Sequence, residues 1–285
     1  MSAKRLFCAT ARALGVAACF AAGVATTARA AAKQSCVRGV VWQPDNATIN
    51  PTGDWHRLGA DTLLVQWTVV DGMALTPGSG LPGFAKKPDW RRIASEPWAR
   101  KVILGLAGAY SEPVARANVA KLVALSARLA TLPTPLAVEG YYFPVEVDPS
   151  WTRAKDLGPL LASLPRPLWI SVYDSSAMGP EKLADWLERW LPHDVGVFFQ
   201  DGVGAHGRDP SVAAEYAATL SKRLGPSRLA VVVEAFRPKA GGGFRAATPQ
   251  ELKTQIAALQ GHSLFLFDGP HYVSQATVDE LACRP

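Results

Sequence analysis

Eight short apolar runs, separated by helical patterns or by Gly/Pro-rich connections, constrain the fold of this chain more than any other feature. The runs are rich in β-branched and aromatic residues and have no polar face, which is typical of parallel strands that are covered on both faces. They span residues 39–42, 62–68, 101–107, 136–143, 168–173, 195–200, 229–236 and 263–267.

The clearest helical patterns lie between these runs, at residues 113–130, 180–191, 210–224 and 249–259. The last three begin with proline, which suits the first position of a helix because its missing N–H has no partner there. Eight strands alternating with helices predict a single-domain α/β protein, a (β/α)8 TIM barrel. The connections after the first two runs do not read as good helices, because residues 51–59 are few and residues 71–88 form a long Gly/Pro-rich loop. A doubly wound open sheet is therefore the alternative, although no Gly-rich phosphate turn follows the first run.

In a barrel of this kind, the side chains that follow each strand meet at one face. Here those positions hold mostly carboxylates, amides and aromatic rings. Two carboxyl groups on either side of a bond are what glycoside hydrolysis needs, and flat rings and amides bind sugar faces and hydroxyls. We therefore predict a saccharide site at this face.

Glu234 is the most informative single residue, because it ends an otherwise apolar strand where burial of a carboxylate is costly without a purpose or a partner. A salt bridge with Arg237 is the structural alternative. Strand four offers Glu139 and Glu146. We favour Glu146, since it lies past the strand, where the chain opens onto the active face.

The segment after strand six presents Gln200 and Asp201 in sequence, followed by glycines and His206. Glycines allow the backbone to turn sharply or to approach a ligand closely. We predict that Asp201 has a catalytic role, in which it binds hydroxyls or tunes a neighbouring carboxylate. Capping of backbone amides in the turn is the alternative.

The remaining predicted contacts to substrate are aromatic platforms and polar groups at the strand ends. The predicted platforms are Trp42, Trp67, Tyr141, Tyr142 and Tyr173, and the predicted polar contacts are Gln66, Gln200, His206 and Asp268.

Several functional classes are excluded by motif or by charge. The chain has no His-x-x-x-His or Cys-x-x-Cys spacing, no Gly-x-Ser-x-Gly elbow and no phosphate-binding Gly-rich loop, so we predict neither a metal nor a cofactor. The formal charge is +6, but four of the 30 basic residues lie in residues 1–30, which hold no acid. The rest carries 26 bases against 24 acids, which gives no basic surface for nucleic acid.

Residues 1–30 have the pattern of an export signal: a basic start, an apolar run and Ala28-Arg29-Ala30 as a cleavage site. Lipoprotein processing at Cys19 is an alternative. We predict that residues 31–285 form the mature domain, periplasmic or secreted, monomeric and without a transmembrane segment. Its two cysteines, Cys36 and Cys283, are expected to form a disulfide, with two buried thiols as the alternative.

Three motifs resemble those of a known family: Gln66-Trp67-Thr68, the segment from Gly140 to Glu146, and the segment from Gln200 to Gly204. The chain is similar over residues 36–280 to a family of secreted bacterial and fungal barrel proteins that is catalogued as a domain of unknown function and regarded as glycosyl-hydrolase-like. The resemblance implies a (β/α)8 fold and a carbohydrate substrate.

Retaining barrel glycosidases carry the acid/base after strand four and the nucleophile at the end of strand seven. The resemblance therefore implies that Glu146 is the acid/base and Glu234 the nucleophile, although Val145 stands where that clan has Asn. The predicted function is an exported glycoside hydrolase that acts on a poly- or oligosaccharide with retention. The alternative is a non-catalytic carbohydrate-binding barrel that assists exopolysaccharide assembly or export.

Overall fold

The computed structural model describes residues 36–283. The predicted export signal and Cys19 lie outside these residues. Eight parallel strands form a closed barrel, with each strand paired to its neighbours in the chain and the first paired to the last. The barrel strands are β1 Gly39–Trp42, β2 Thr62–Val65, β3 Lys101–Gly105, β4 Val138–Val147, β5 Leu168–Val172, β6 Val195–Gln200, β7 Leu229–Glu234 and β8 Ser263–Phe267. The predicted (β/α)8 fold is confirmed.

Nine α-helices are found within residues 36–283, and most cover the outside of the barrel. They are α1 Trp90–Ser95, α2 Glu112–Ala117, α3 Val119–Leu129, α4 Leu157–Leu161, α5 Pro180–Glu188, α6 Pro210–Leu224, α7 Pro249–Ala258, α8 Gly269–Tyr272 and α9 Gln275–Leu281. The helix predicted at residues 113–130 is divided at Asn118 into α2 and α3. The connection between β1 and β2, which has no clear helical pattern in the sequence, contains a short 3-10 helix, Trp55–Leu58.

Two small sheets extend the barrel at its carboxyl-terminal face. One contains Val69–Val70, Met73–Ala74 and Ala107–Gly108, and the other is a hairpin of Phe236–Pro238 with Phe244–Ala246. The hairpin follows β7 directly, so it stands above the position where Glu234 ends that strand.

The strands are apolar throughout because each faces two hydrophobic layers. One set of side chains packs against the helices, and the alternate set fills the barrel with Val41, Leu64, Ile103, Tyr142, Phe198, Ala230, Val232 and Phe265. Period-two alternation along each strand therefore decides which polar residues at the strand ends point into the barrel.

A disulfide joins the two ends of the barrel domain, as predicted. Cys36 precedes β1 and Cys283 follows α9, and their Cα atoms are 5.6 Å apart although 247 positions separate them in sequence. Pairing of β1 with β8 brings these ends together. Within residues 36–283, no helix is long and apolar enough to cross a membrane.

Candidate active site

A cavity of about 200 Å3 opens at the carboxyl-terminal face of the barrel. Glu146 and Glu234 both line it, together with Gln66, Ser171 and Gln200 and a wall of apolar and aromatic side chains. Tyr142 and Phe198, which also line it, meet edge to face with their ring centroids 6.0 Å apart. The fold thus brings together two carboxyl groups from opposite parts of the chain.

Glu146 reaches the cavity from β4, and Gln200 on β6 fixes its orientation. The Gln200 Nε2 atom donates to Glu146 Oε1 at 2.9 Å and to Ser171 Oγ at 2.6 Å. Burial raises the pKa of Glu146 above its usual range, and the hydrogen bond from Gln200 opposes that effect. A carboxyl group in this setting is favoured as a proton donor near neutral pH.

Glu112 and Arg116 on α2 hold the backbone of Glu146 from both sides. The Glu146 N–H donates to Glu112 Oε2 at 3.0 Å, and the Glu146 carbonyl oxygen accepts from Arg116 Nε at 3.2 Å and Nη2 at 2.9 Å. Burial and the neighbouring Glu146 charge raise the pKa of Glu112 to about 8. The sequence placed Glu112 after a barrel strand, but nothing in its pattern indicated this supporting role.

Glu234 enters the cavity from the end of β7, held by two backbone donors. Its Oε2 atom accepts from the N–H groups of Gly204 at 2.8 Å and Ala205 at 2.7 Å. These groups belong to the glycine turn after β6, and a side chain at Gly204 would collide with Phe236. The Oε1 atom makes no hydrogen bond to another residue of the described part of the chain, and it remains available to a ligand.

Asp201 does not line the cavity, so a direct contact with substrate hydroxyls does not follow from its placement. It is fully buried behind Glu234, where its carboxylate accepts from Gln255 Nε2 at 2.5 Å and from the N–H of Val203 at 3.1 Å. Period-two alternation explains this placement, since Gln200 points inward and the next residue points outward. Burial and the nearby Asp201 charge raise the pKa of Glu234.

Arg237 does not form the salt bridge considered for Glu234. Its guanidinium donates to the backbone carbonyl oxygens of Glu234 at 3.1 Å and Phe236 at 2.7 Å, and to Gln255 Oε1 at 2.7 Å. The Glu234 carboxylate is therefore not neutralised by this arginine.

Gln66 is the clearest unsatisfied group in the cavity wall. Its side chain is 9% exposed, and its Oε1 atom is buried with no hydrogen-bond partner among the described residues. A buried polar atom without a partner costs free energy, so this acceptor points to a ligand that donates a hydrogen bond there.

The predicted aromatic platforms are only partly placed at the cavity. Tyr142 contributes to its wall. Trp42 and Trp67 are 0% and 3% exposed, and the Tyr141 hydroxyl donates to the backbone oxygen of Ala130 on the helical side of the barrel. Stacking on sugar does not fit these three residues, because their rings are enclosed by the outer hydrophobic layer.

Tyr173 and His206 do not line the cavity that holds Glu146 and Glu234. Their rings stack with centroids 5.9 Å apart, and Arg116 Nη2 donates to the Tyr173 hydroxyl at 3.1 Å. Tyr173 and His206 thus link the loop after β5 to the loop after β6, and Tyr173 also binds Arg116. Their placement does not indicate a direct contact with the ligand.

Asp268 lines an outer cavity of about 320 Å3 and orients His271. Its Oδ2 atom is 2.9 Å from His271 Nδ1, and the opposite ring nitrogen is 3.1 Å from Asp45 Oδ2. Hydrogen bonding to Asp268, assisted by Asp45, raises the pKa of His271 to about 9 despite its partial burial. His271 follows the eighth apolar run, but nothing in the sequence pattern assigned it a role.

Glu139 lies at the other end of the barrel. It lines a cavity of about 300 Å3 with Arg38 and Trp169 at the amino-terminal ends of the strands. It is thus remote from Glu146 and Glu234, which line the cavity at the carboxyl-terminal face.

No group of three or more His, Cys, Asp and Glu side chains within residues 36–283 is arranged to hold a metal ion.

No family model matches the chain. It is 25% identical over 255 residues to the uncharacterized protein YbcH of Escherichia coli (strain K12), an alignment that covers 78% of this chain and 84% of that protein. The structure resembles that of a "putative alpha-L-fucosidase" from Bacteroides thetaiotaomicron VPI-5482, with a TM-score of 0.56 and 12% identity over 92% of this chain and 99% of the other. A chitinase from Chromobacterium violaceum ATCC 12472 gives a TM-score of 0.45 and 11% identity over 87% and 100% of the two chains. At these identities, the resemblance to the first of these structures is one of fold alone.

Proposed function

We propose that the chain is a glycoside hydrolase that cleaves a poly- or oligosaccharide with retention of configuration. One observation carries the proposal: Glu146 and Glu234, which lie on strands far apart in sequence, line the same cavity of about 200 Å3. A pair of carboxyl groups that flank the scissile bond is the catalytic requirement of this reaction.

In the first step, the Glu234 carboxylate attacks the anomeric carbon through Oε1. The bond from that carbon to the leaving oxygen breaks, and Glu146 gives its proton to that oxygen. The two backbone N–H groups on Oε2 hold the nucleophile in place, and they oppose the rise in the Glu234 pKa that burial and the Asp201 charge cause. Burial raises the pKa of Glu146, which favours its protonated form, and this form supplies the proton that the leaving oxygen needs.

In the second step, water attacks the anomeric carbon of the glycosyl ester and transfers a proton to Glu146. The bond to Glu234 breaks, and both carboxyl groups return to their starting states. Gln200 keeps Glu146 in position in both steps, and the unpaired Gln66 oxygen accepts a hydrogen bond from a sugar hydroxyl.

We propose that residues 1–30 direct export and that residues 31–285 act as one monomeric catalytic domain in the periplasm or outside the cell. The Cys36–Cys283 disulfide supports this location, because disulfides persist in oxidising compartments.

The test measures new reducing ends on oligosaccharides of glucose, galactose, mannose and N-acetylglucosamine, and on aryl glycosides including 4-nitrophenyl α-L-fucoside. We expect Glu234→Gln and Glu146→Gln to lower turnover by about 10³-fold or more. Glu139→Gln, at the opposite end of the barrel, is the matched control and is expected to keep full turnover.

Proton NMR of the first sugar released gives the stereochemical outcome, and we expect retention. Inversion would assign Glu234 to the activation of water instead of direct attack. Saccharide binding without turnover by the wild type, unaffected by Glu234→Gln, would favour the non-catalytic carbohydrate-binding barrel.

A further inference from the structure

The outer cavity adjoins the cavity that holds Glu146 and Glu234. Its lining includes Asp45, Tyr110, Phe244, Asp268 and His271. The two cavities share Phe236, Phe244 and Phe267. A ligand that occupies the inner cavity and extends outward therefore passes these rings and enters the outer cavity.

Two aromatic rings on the outer wall are exposed to an extent that the fold does not require. Tyr110 is 51% exposed and Phe244 is 48% exposed, and they are two of the five large apolar side chains exposed within residues 36–283. Each packs edge to face against a buried ring. The ring centroids of Trp67 and Tyr110 are 5.0 Å apart, and those of Phe236 and Phe244 are 4.6 Å apart. Fixed and exposed rings at a cavity are typical of a binding surface.

The polar groups of the outer cavity are also held in fixed positions. Asp45 Oδ1 accepts from the N–H groups of Ala47 at 2.8 Å and Thr48 at 2.7 Å, while its Oδ2 atom contacts His271. Asp268 holds the other side of the His271 ring. Aromatic rings beside fixed carboxylates and an imidazole match the apolar faces and hydroxyls of a sugar.

The inner cavity is small and closed at its base. Phe198 lies beneath it and contacts Tyr142 and Phe265 edge to face, with centroids 6.0 Å and 5.0 Å away. Its volume of about 200 Å3 lies below the roughly 300–1,000 Å3 of pockets that take drug-sized ligands, which suits a single sugar ring. A saccharide chain cannot continue through this base.

We propose that the outer cavity is a second glycosyl subsite, which binds the sugar on the leaving side of the scissile bond, and that the protein removes single sugars from a chain end. The inference rests on the proposed function, because it assumes that the inner cavity is the site of cleavage. It adds the mode of action and assigns Tyr110 and Phe244 to binding of the adjoining sugar.

The experiment uses two substrates of the sugar that the wild type cleaves best: a reducing-end-labelled tetrasaccharide and the glycosyl fluoride, which occupies the inner cavity alone. Mass spectrometry of early products should show the monosaccharide and the trisaccharide. Tyr110→Ala and Phe244→Ala should lower kcat/KM for the tetrasaccharide about tenfold more than for the fluoride.

Tyr110→Phe keeps the ring and should retain most of the wild-type kcat/KM. Val212→Ala on α6 is the matched control, because it removes an exposed apolar side chain, 38% exposed, that lines neither cavity. It should match the wild type on both substrates, and thermal unfolding checks that every variant is folded.

Early disaccharide products, or equal losses on the two substrates, would overturn the subsite while leaving the hydrolase intact. If the wild type cleaves no saccharide, the proposed function fails, and calorimetric titration with the panel's mono- and disaccharides decides the subsite. A disaccharide bound about tenfold more tightly than its monosaccharide, with the gain lost in Tyr110→Ala, supports the subsite. Equal affinities, or no binding of either, would refute it.

Discussion

Glu112 is a partly buried carboxyl group whose ionisation should destabilise the folded protein. Its pKa is raised from 4.5 to about 8 by burial and by the Glu146 charge. A raised carboxyl pKa means that the folded state binds a proton more tightly than the unfolded state, so stability falls as the pH rises from about 4.5 through about 8. Glu112→Gln removes the charge, and its amide oxygen still accepts the Glu146 N–H.

The size of the effect follows from the pKa and the exposure. A change from 4.5 to about 8 corresponds to about 5 kcal/mol when the group is fully ionised, at about 1.4 kcal/mol per pKa unit. The side chain is 24% exposed, and solvent screening reduces the figure to about 2–3 kcal/mol. The Arg116 interaction, at 3.6 Å, opposes the rise in pKa and is already included in this figure.

We therefore expect Glu112→Gln to raise the free energy of unfolding by about 2 kcal/mol at pH 9 and to leave it equal or slightly lower at pH 5. Urea unfolding followed by tryptophan fluorescence at pH 5, 7 and 9 measures this difference. Groups remote from Glu112 that titrate in this range are common to both proteins, so their contributions cancel.

Glu96→Gln is the matched control. Glu96 also pairs with an arginine four positions away, Arg92 on α1, and its side chain is 25% exposed. We expect a loss of about 0.5 kcal/mol or less at every pH. The reasoning is refuted if Glu112→Gln is no more stable than the wild type at pH 9, since Arg116 and the Glu146 N–H would then compensate fully for burial of the charge.

Two further predictions concern the active site and the disulfide. Gln200→Leu removes the hydrogen bond that lowers the pKa of Glu146, so we expect the alkaline limb of the pH–rate profile to move to higher pH and kcat to fall about ten- to a hundredfold. A profile with an unchanged limb would contradict that role. Replacing Cys36 and Cys283 together by serine opens a loop with a sequence separation of 247 and should lower the free energy of unfolding by about 3–5 kcal/mol. Urea unfolding measures this loss, with reduced wild type as the control; equal stability of the double variant and the oxidised wild type would show that the bond adds nothing.

The barrel was predictable because its evidence is local. β-Branched apolar runs, prolines at helix starts and the spacing of the connections are all read from neighbouring residues. The strand bounds at 39–42, 195–200 and 263–267 agree with the sequence analysis, and the helix at 210–224 does as well. The division at Asn118 was missed, because a continuous helical pattern does not reveal where α2 ends and α3 begins.

The site was only partly predictable, because a strand-end position does not tell which way a side chain points. Trp42 and Asp201 both follow or end apolar strands, yet both face the helices, while their neighbours Val41 and Gln200 face the barrel interior. A difference of one residue in register reverses the face, and single-residue register is not encoded in a fully apolar strand.

The sequence by itself determined that this chain has eight buried strands, that carboxylates and amides follow them, and that Cys36 and Cys283 flank the first and last strands. Only the tertiary structure decided that Glu146 and Glu234 share a cavity, that the backbone of Gly204 and Ala205 holds the Glu234 carboxylate, and that Glu112 supports Glu146. Strand formation depends on side chains near in sequence. Cavities and backbone donors arise only when the barrel closes and brings distant segments within hydrogen-bonding distance.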